Sequence, residues 1–92
     1  MSAVQRRAIY RGRVQGVGFR ASARRLAAGF PVSGYVRNLD DGTVEVVAAG
    51  EAAEVDRFLA AIDAHFAGKV RDRSVSDVAE DSGEPSGFTI RY

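Results

Sequence analysis

The stretch Gly12-Arg13-Val14-Gln15-Gly16-Val17-Gly18-Phe19-Arg20 limits the fold of this chain more than any other, because residue periodicity changes across it. Ahead of it, residues 7–14 alternate, with Ala8, Tyr10, Gly12 and Val14 on one face and Arg7, Ile9, Arg11 and Arg13 on the other. That period of two predicts a half-buried strand. Behind it, Phe19, Ala23, Leu26, Ala27 and Phe30 recur at helical spacing, and Gly29 and Pro31 mark a stop. Passing from strand to helix in so few residues needs a sharp bend. Gly16 and Gly18 supply it, since glycine enters positive φ without a Cβ clash.

Successive amides in such a bend face one concavity, and at a helix N-terminus that concavity suits an anion. Arg20 closes the stretch with a planar fork able to hold two phosphate oxygens. The same spacing also fits a glycine-rich β–α turn with a solvated arginine. It is not a P-loop, because no Gly-Lys-Ser/Thr follows, and glycines at 12, 16 and 18 do not spell the dinucleotide-binding fingerprint.

Beyond the helix, residues 33–39 and 43–49 read as two strands joined by the Asp40-Asp41-Gly42 corner, with Val44, Val46 and Ala48 on the buried face. Helical spacing returns over residues 51–66, where Val55, Phe58, Leu59, Ile62 and Phe66 share a stripe and Gly68 follows as a C-terminal cap. His65, the single histidine, falls at the edge of that stripe and reads as a surface or boundary residue. Residues 69–78 predict a fourth strand, in which Val75 and Val78 break alternation through either a bulge or a different register. The acidic residues 79–86 contain Gly83 and Pro85 and read as a loop; Phe88, Ile90 and Tyr92 then alternate as a short closing strand.

The order β-α-β-β-α-β, with a short extra C-terminal strand, predicts a ferredoxin-like α+β sandwich. Right-handed crossovers place both helices on one face of an antiparallel-dominated sheet. At 92 residues the chain makes one domain, 1–92. No apolar leader follows Met1 and no run is long enough to span a bilayer, so the expectation is a cytoplasmic monomer without membrane association. The absence of cysteine excludes disulfides and thiolate metal sites.

Net charge is only +1, but it is unevenly distributed. Residues 1–39 hold eight arginines and no acid, a local charge of +8; residues 40–92 hold five basic residues against twelve acids, −7. Either the early half builds an anion-handling surface, or the halves interleave and neutralise each other. Interleaving is expected for most of these charges and not for Arg20. Arg24 and Arg25 lie off the helical stripe and read as solvated.

Gly12–Arg20, followed by Gly34-Tyr35-Val36-Arg37-Asn38 and Asp41-Gly42-Thr43-Val44-Glu45, resembles the acylphosphatase family. The resemblance runs from the first strand to the closing Gly87-Phe88-Thr89-Ile90-Arg91-Tyr92. Tyr35 stands where the family often has Trp, and Phe30-Pro31-Val32 replaces its usual Leu-Gly-Leu. The resemblance implies hydrolysis of small acyl phosphates to a carboxylate and inorganic phosphate. It assigns catalysis to Arg20 and Asn38 and phosphate binding to Gln15, Gly16, Val17, Gly18, Phe19 and Arg20.

That chemistry suits these residues. Phosphoryl transfer rests on positioning and on stabilising equatorial charge, which amides and a guanidinium supply without a metal or cofactor. The Asn38 carboxamide both donates and accepts, so it can hold a water in line behind phosphorus. It cannot act as a general base, and neither motif offers a group that could. An acyl phosphate tolerates this lack, because its carboxylate leaving group has a pKa of about 4. Gln15 is expected to shape the turn, and Arg37 to point away from Asn38 as a solvated sheet-face arginine. Two other classes fit parts of the pattern. A phosphate-binding module would need Arg20 and the glycines but not Asn38. An RNA-binding sheet would need exposed aromatics on its central strands, whereas Tyr10 falls on the helix side, so no nucleic-acid partner is expected.

Overall fold

The structure, a computed structural model, describes residues 3–78 and 87–92. Its alternating segments form five strands of one sheet, and its two helical stripes meet a single face of that sheet. The elements are β1 (Ala3–Gly12), α1 (Phe19–Ala27), β2 (Ser33–Asn38), β3 (Val44–Glu51), α2 (Ala52–His65), β4 (Val70–Asp77) and β5 (Phe88–Arg91). The strand order is β4-β1-β3-β2-β5, antiparallel throughout except for the parallel β2–β5 pair. This is the expected β-α-β-β-α-β sandwich with one added strand.

Burial follows from the two periods. Ala8 and Tyr10 of β1, Val36 of β2, and Val44, Val46 and Ala48 of β3 face the helices and are fully buried. Phe19, Ala23 and Ala27 of α1 and Val55, Phe58, Leu59 and Ile62 of α2 close over them. Rings run through the layer: Tyr10 lies 5.2 Å from Phe19, Phe19 stacks on Phe66 at 4.4 Å, and Phe58 meets Phe30 and Phe88 at 5.9 and 5.1 Å. Removing any one ring would open a cavity beneath a helix, at about 3–5 kcal/mol for a Phe→Ala change.

Several boundaries differ from those expected. β1 begins at Ala3 and ends at Gly12, so Gly12 is exposed rather than on the buried face. Val14 is buried although it lies past the strand. The ladder irregularity sits between Arg11 and Gly12 of β1, not at Val75 or Val78, and β4 pairs evenly with β1 from Asp72 to Asp77. Val75 is exposed on β4, an edge strand, and Val78 is exposed just past its end. The predicted loop 79–86 lies outside the described residues.

The two charged halves do interleave. Arg6 pairs with Asp56 and Asp77, Arg11 with Asp72, and Arg7 and Arg37 with Glu45. Arg37 is therefore not simply solvated: its Nε donates to Glu45 Oε1 at 2.6 Å on the uncovered sheet face, opposite to Asn38. The reason is cross-strand register, which sets Arg37 beside Glu45 and leaves that carboxylate 2% exposed. Burial pushes the Glu45 carboxyl up. The hydrogen bonds and charges of Arg7 and Arg37 outweigh burial and hold it below the ordinary glutamate range.

Candidate active site

Two buried anchors fix the loop between β1 and α1. Val14 is 1% and Phe19 2% exposed, while Gln15, Gly16 and Gly18 between them face solvent. Gly16 and Gly18 take φ of +77° and +78°, and a Cβ on either would meet nothing within 4 Å. What glycine supplies there is conformation, not space. Gly18 is also the N-cap of α1, without a capping side chain or an acid in the first turn. The first-turn amides of α1 are thus left for an outside acceptor, at the end where the helix dipole favours negative charge.

The Gln15 side chain turns away from this concavity. Its Nε2 donates to the carbonyls of Leu39 and Thr43, at 2.8 and 2.9 Å. It straps the glycine loop to the β2–β3 turn, as its expected turn-shaping part requires. That turn is itself tied: Leu39 N–H donates to Thr43 O at 2.9 Å, and Asp41 Oδ1 accepts from the Thr43 amide at 3.1 Å and hydroxyl at 2.5 Å.

A pocket of about 170 Å³ opens over the glycine loop. Gly16, Gly18, Phe19 and Arg20 line one side of it and Asn38 another, so the end of β2 meets the start of α1. Of the residues expected to bind phosphate, Gln15 and Val17 do not line it; Val17 packs against the core. Its remaining wall, Ile90 and Tyr92, belongs to β5 and to the residue after it. The Arg20 guanidinium carbon lies 4.6 Å from the centre of the Tyr92 ring, and Arg20 has no acidic partner among the described residues. The alternation of Phe88, Ile90 and Tyr92 gives their common face, but only the parallel pairing with β2 brings that face to Asn38. No signal local to residues 88–92 carries that pairing.

Among the described residues, no His, Asp or Glu lines the pocket and no three metal-ligating side chains converge. His65 is exposed and edge-on to Phe66. The arrangement can hold a small anion between amides and a guanidinium while an amide side chain faces it from the next element. Among the described residues, no helix is long and apolar enough to cross a membrane.

The acylphosphatase family model matches residues 6–90. The crystal structure of acylphosphatase from Bacillus subtilis is 38% identical, superposes with a TM-score of 0.85, and aligns over 97% of this chain and 99% of that one. The structure of an acylphosphatase from Coxiella burnetii is 27% identical, with a TM-score of 0.79, over 97% of this chain and 93% of that one. Part of full-length HypF, 12% of that chain, shares the fold at 21% identity and a TM-score of 0.78.

Proposed function

Since this chain belongs to the acylphosphatase family and is an acylphosphatase enzyme by sequence and fold, we propose a specific division of labour for its hydrolysis of acyl phosphates. The observation that carries the proposal is that Arg20, Asn38 and the glycine loop line one and the same pocket.

The amides of residues 15–20 and the Arg20 guanidinium hold the phosphoryl oxygens and stabilise their charge as the bond to the acyl oxygen lengthens. Asn38 holds a water in line behind phosphorus. The water oxygen bonds to phosphorus, the P–O bond to the acyl group breaks, and its electron pair leaves on the carboxylate. The proton released by the water passes to a phosphate oxygen, so the reaction needs no protein acid or base. The lining residues agree with this, for none is a carboxylate or imidazole. About 170 Å³ is small beside the roughly 300–1,000 Å³ of sites for larger ligands, which favours a compact acyl group. We take the chain to act as a metal-free cytoplasmic monomer.

Hydrolysis of benzoyl phosphate with and without a chelator tests the proposal. Turnover should be unchanged by chelation, and a simple alkyl phosphomonoester should be a far poorer substrate. Loss of activity on chelation, with recovery on adding Mg²⁺, would remove the metal-free reading. Comparable kcat/KM on the alkyl ester would mean that a proton donor takes part.

A further inference from the structure

We propose that a second anion site lies on the opposite flank of the same loop and takes a chain of linked phosphates, either free or carried on a nucleoside. A cleft of about 850 Å³, larger than the Arg20–Asn38 pocket, lies apart from it. It opens where the end of β1, the β2–β3 turn and the α2–β4 connection meet.

Four cations line it: Arg11, Arg13, Lys69 and Arg71; Asp41 is the one acid among its lining residues. Asp72 pairs with Arg11 at 3.3 Å and reaches Arg71 at 3.9 Å, so one carboxylate is shared by two arginines. Arg13 and Lys69 have no ionic partner among the described residues. The cleft therefore keeps a surplus of positive charge that nothing described in the fold consumes.

The backbone beneath these side chains is pinned. Arg13 N–H donates to Lys69 O at 2.8 Å, and the amides of Lys69 and Val70 both donate to Phe66 O, at 2.9 and 3.2 Å. Four cations on a fixed frame are more than one phosphate can engage, whereas a phosphate chain presents acceptor oxygens along its length. Among the described residues, no aromatic side chain lines the cleft, so it offers a nucleic-acid base nothing to stack on. That favours the phosphate chain over single-stranded RNA or DNA.

Calorimetric titration with sodium tripolyphosphate, ATP and inorganic phosphate tests this, on the parent chain and on Arg20→Ala. Tripolyphosphate should bind more tightly than inorganic phosphate, and should still bind Arg20→Ala. The double variant Lys69→Gln/Arg71→Gln, in which both altered residues are at the surface, should lose about tenfold or more in tripolyphosphate affinity. Its hydrolysis of acyl phosphate should be that of the parent. Equal affinity for ATP and tripolyphosphate identifies a free chain, and tighter ATP binding identifies a nucleotide. Tripolyphosphate binding no tighter than that of phosphate, or abolished by Arg20→Ala and kept by the double variant, overturns the proposal. Binding is read without turnover, so its failure and that of the hydrolytic reading are separable.

Discussion

Arg20 and Asn38 are proposed to touch different atoms, so their removal should read out differently. Arg20 meets the phosphoryl group before and during the reaction, and Arg20→Ala should therefore lose both turnover and competitive inhibition by inorganic phosphate. Asn38 meets only the attacking water. Asn38→Ala should lose about a hundredfold in kcat while its inhibition constant for phosphate stays near that of the parent. Steady-state kinetics with phosphate as inhibitor measures both, and an Asn38→Ala chain with normal turnover would favour a phosphate-binding module. Glu45 tests a different property. Its carboxyl is held below its ordinary value of 4.5, so it contributes stability that is present above that pH and lost as pH falls through the lowered value. Glu45→Gln should cost about 1–3 kcal/mol near neutrality and flatten the acid limb of a stability-against-pH curve measured by urea unfolding. The family resemblance singled out Arg20 and Asn38, and both line one pocket. Glu45 as a buried ion-pair centre was not, because only register across β1, β3 and β2 sets Arg7 and Arg37 beside it.

The glycine loop is the element on which the site depends, and its two features separate cleanly by mutation. Gly16→Val or Gly18→Val forces a branched residue into left-handed backbone, at about 1–2 kcal/mol. A Cβ at either position meets nothing within 4 Å, so each variant should stay folded and lose phosphate affinity. Unchanged affinity in a folded variant would mean that the loop amides do not hold the anion. Gln15→Leu instead releases the strap to Leu39 and Thr43 while leaving the glycines intact. It should reduce thermal stability by about 1–2 kcal/mol and raise the KM for acyl phosphate, as the loop loses its hold on the β2–β3 turn. The bend and the helix after it could be read from the change of period at Phe19. The strap could not, because a glutamine's partners 24 and 28 residues away leave no mark on local spacing.

At the scale of the whole molecule, element order and the helix-covered face were readable, since a period of two or of about 3.6 depends on neighbours in sequence. The strand order was less so. Its two edges, β4 and β5, hold some of the places where expectation and structure part: the misplaced ladder irregularity, the exposed Val75, and the unforeseen wall of the pocket. Edge strands have one partner and partial cover, and β4 is accordingly exposed from Arg71 to Asp77. The β5 wall also bears on when the site can exist at all. Synthesis proceeds from N- to C-terminus, and Asn38 is laid down more than fifty residues ahead of Tyr92. Loop, helix and asparagine can be in place on a growing chain that still lacks one side of its pocket. A ribosome-bound chain halted before residue 88 should accordingly show no competable phosphate binding, and affinity should appear only once the last strand has emerged and aligned with β2.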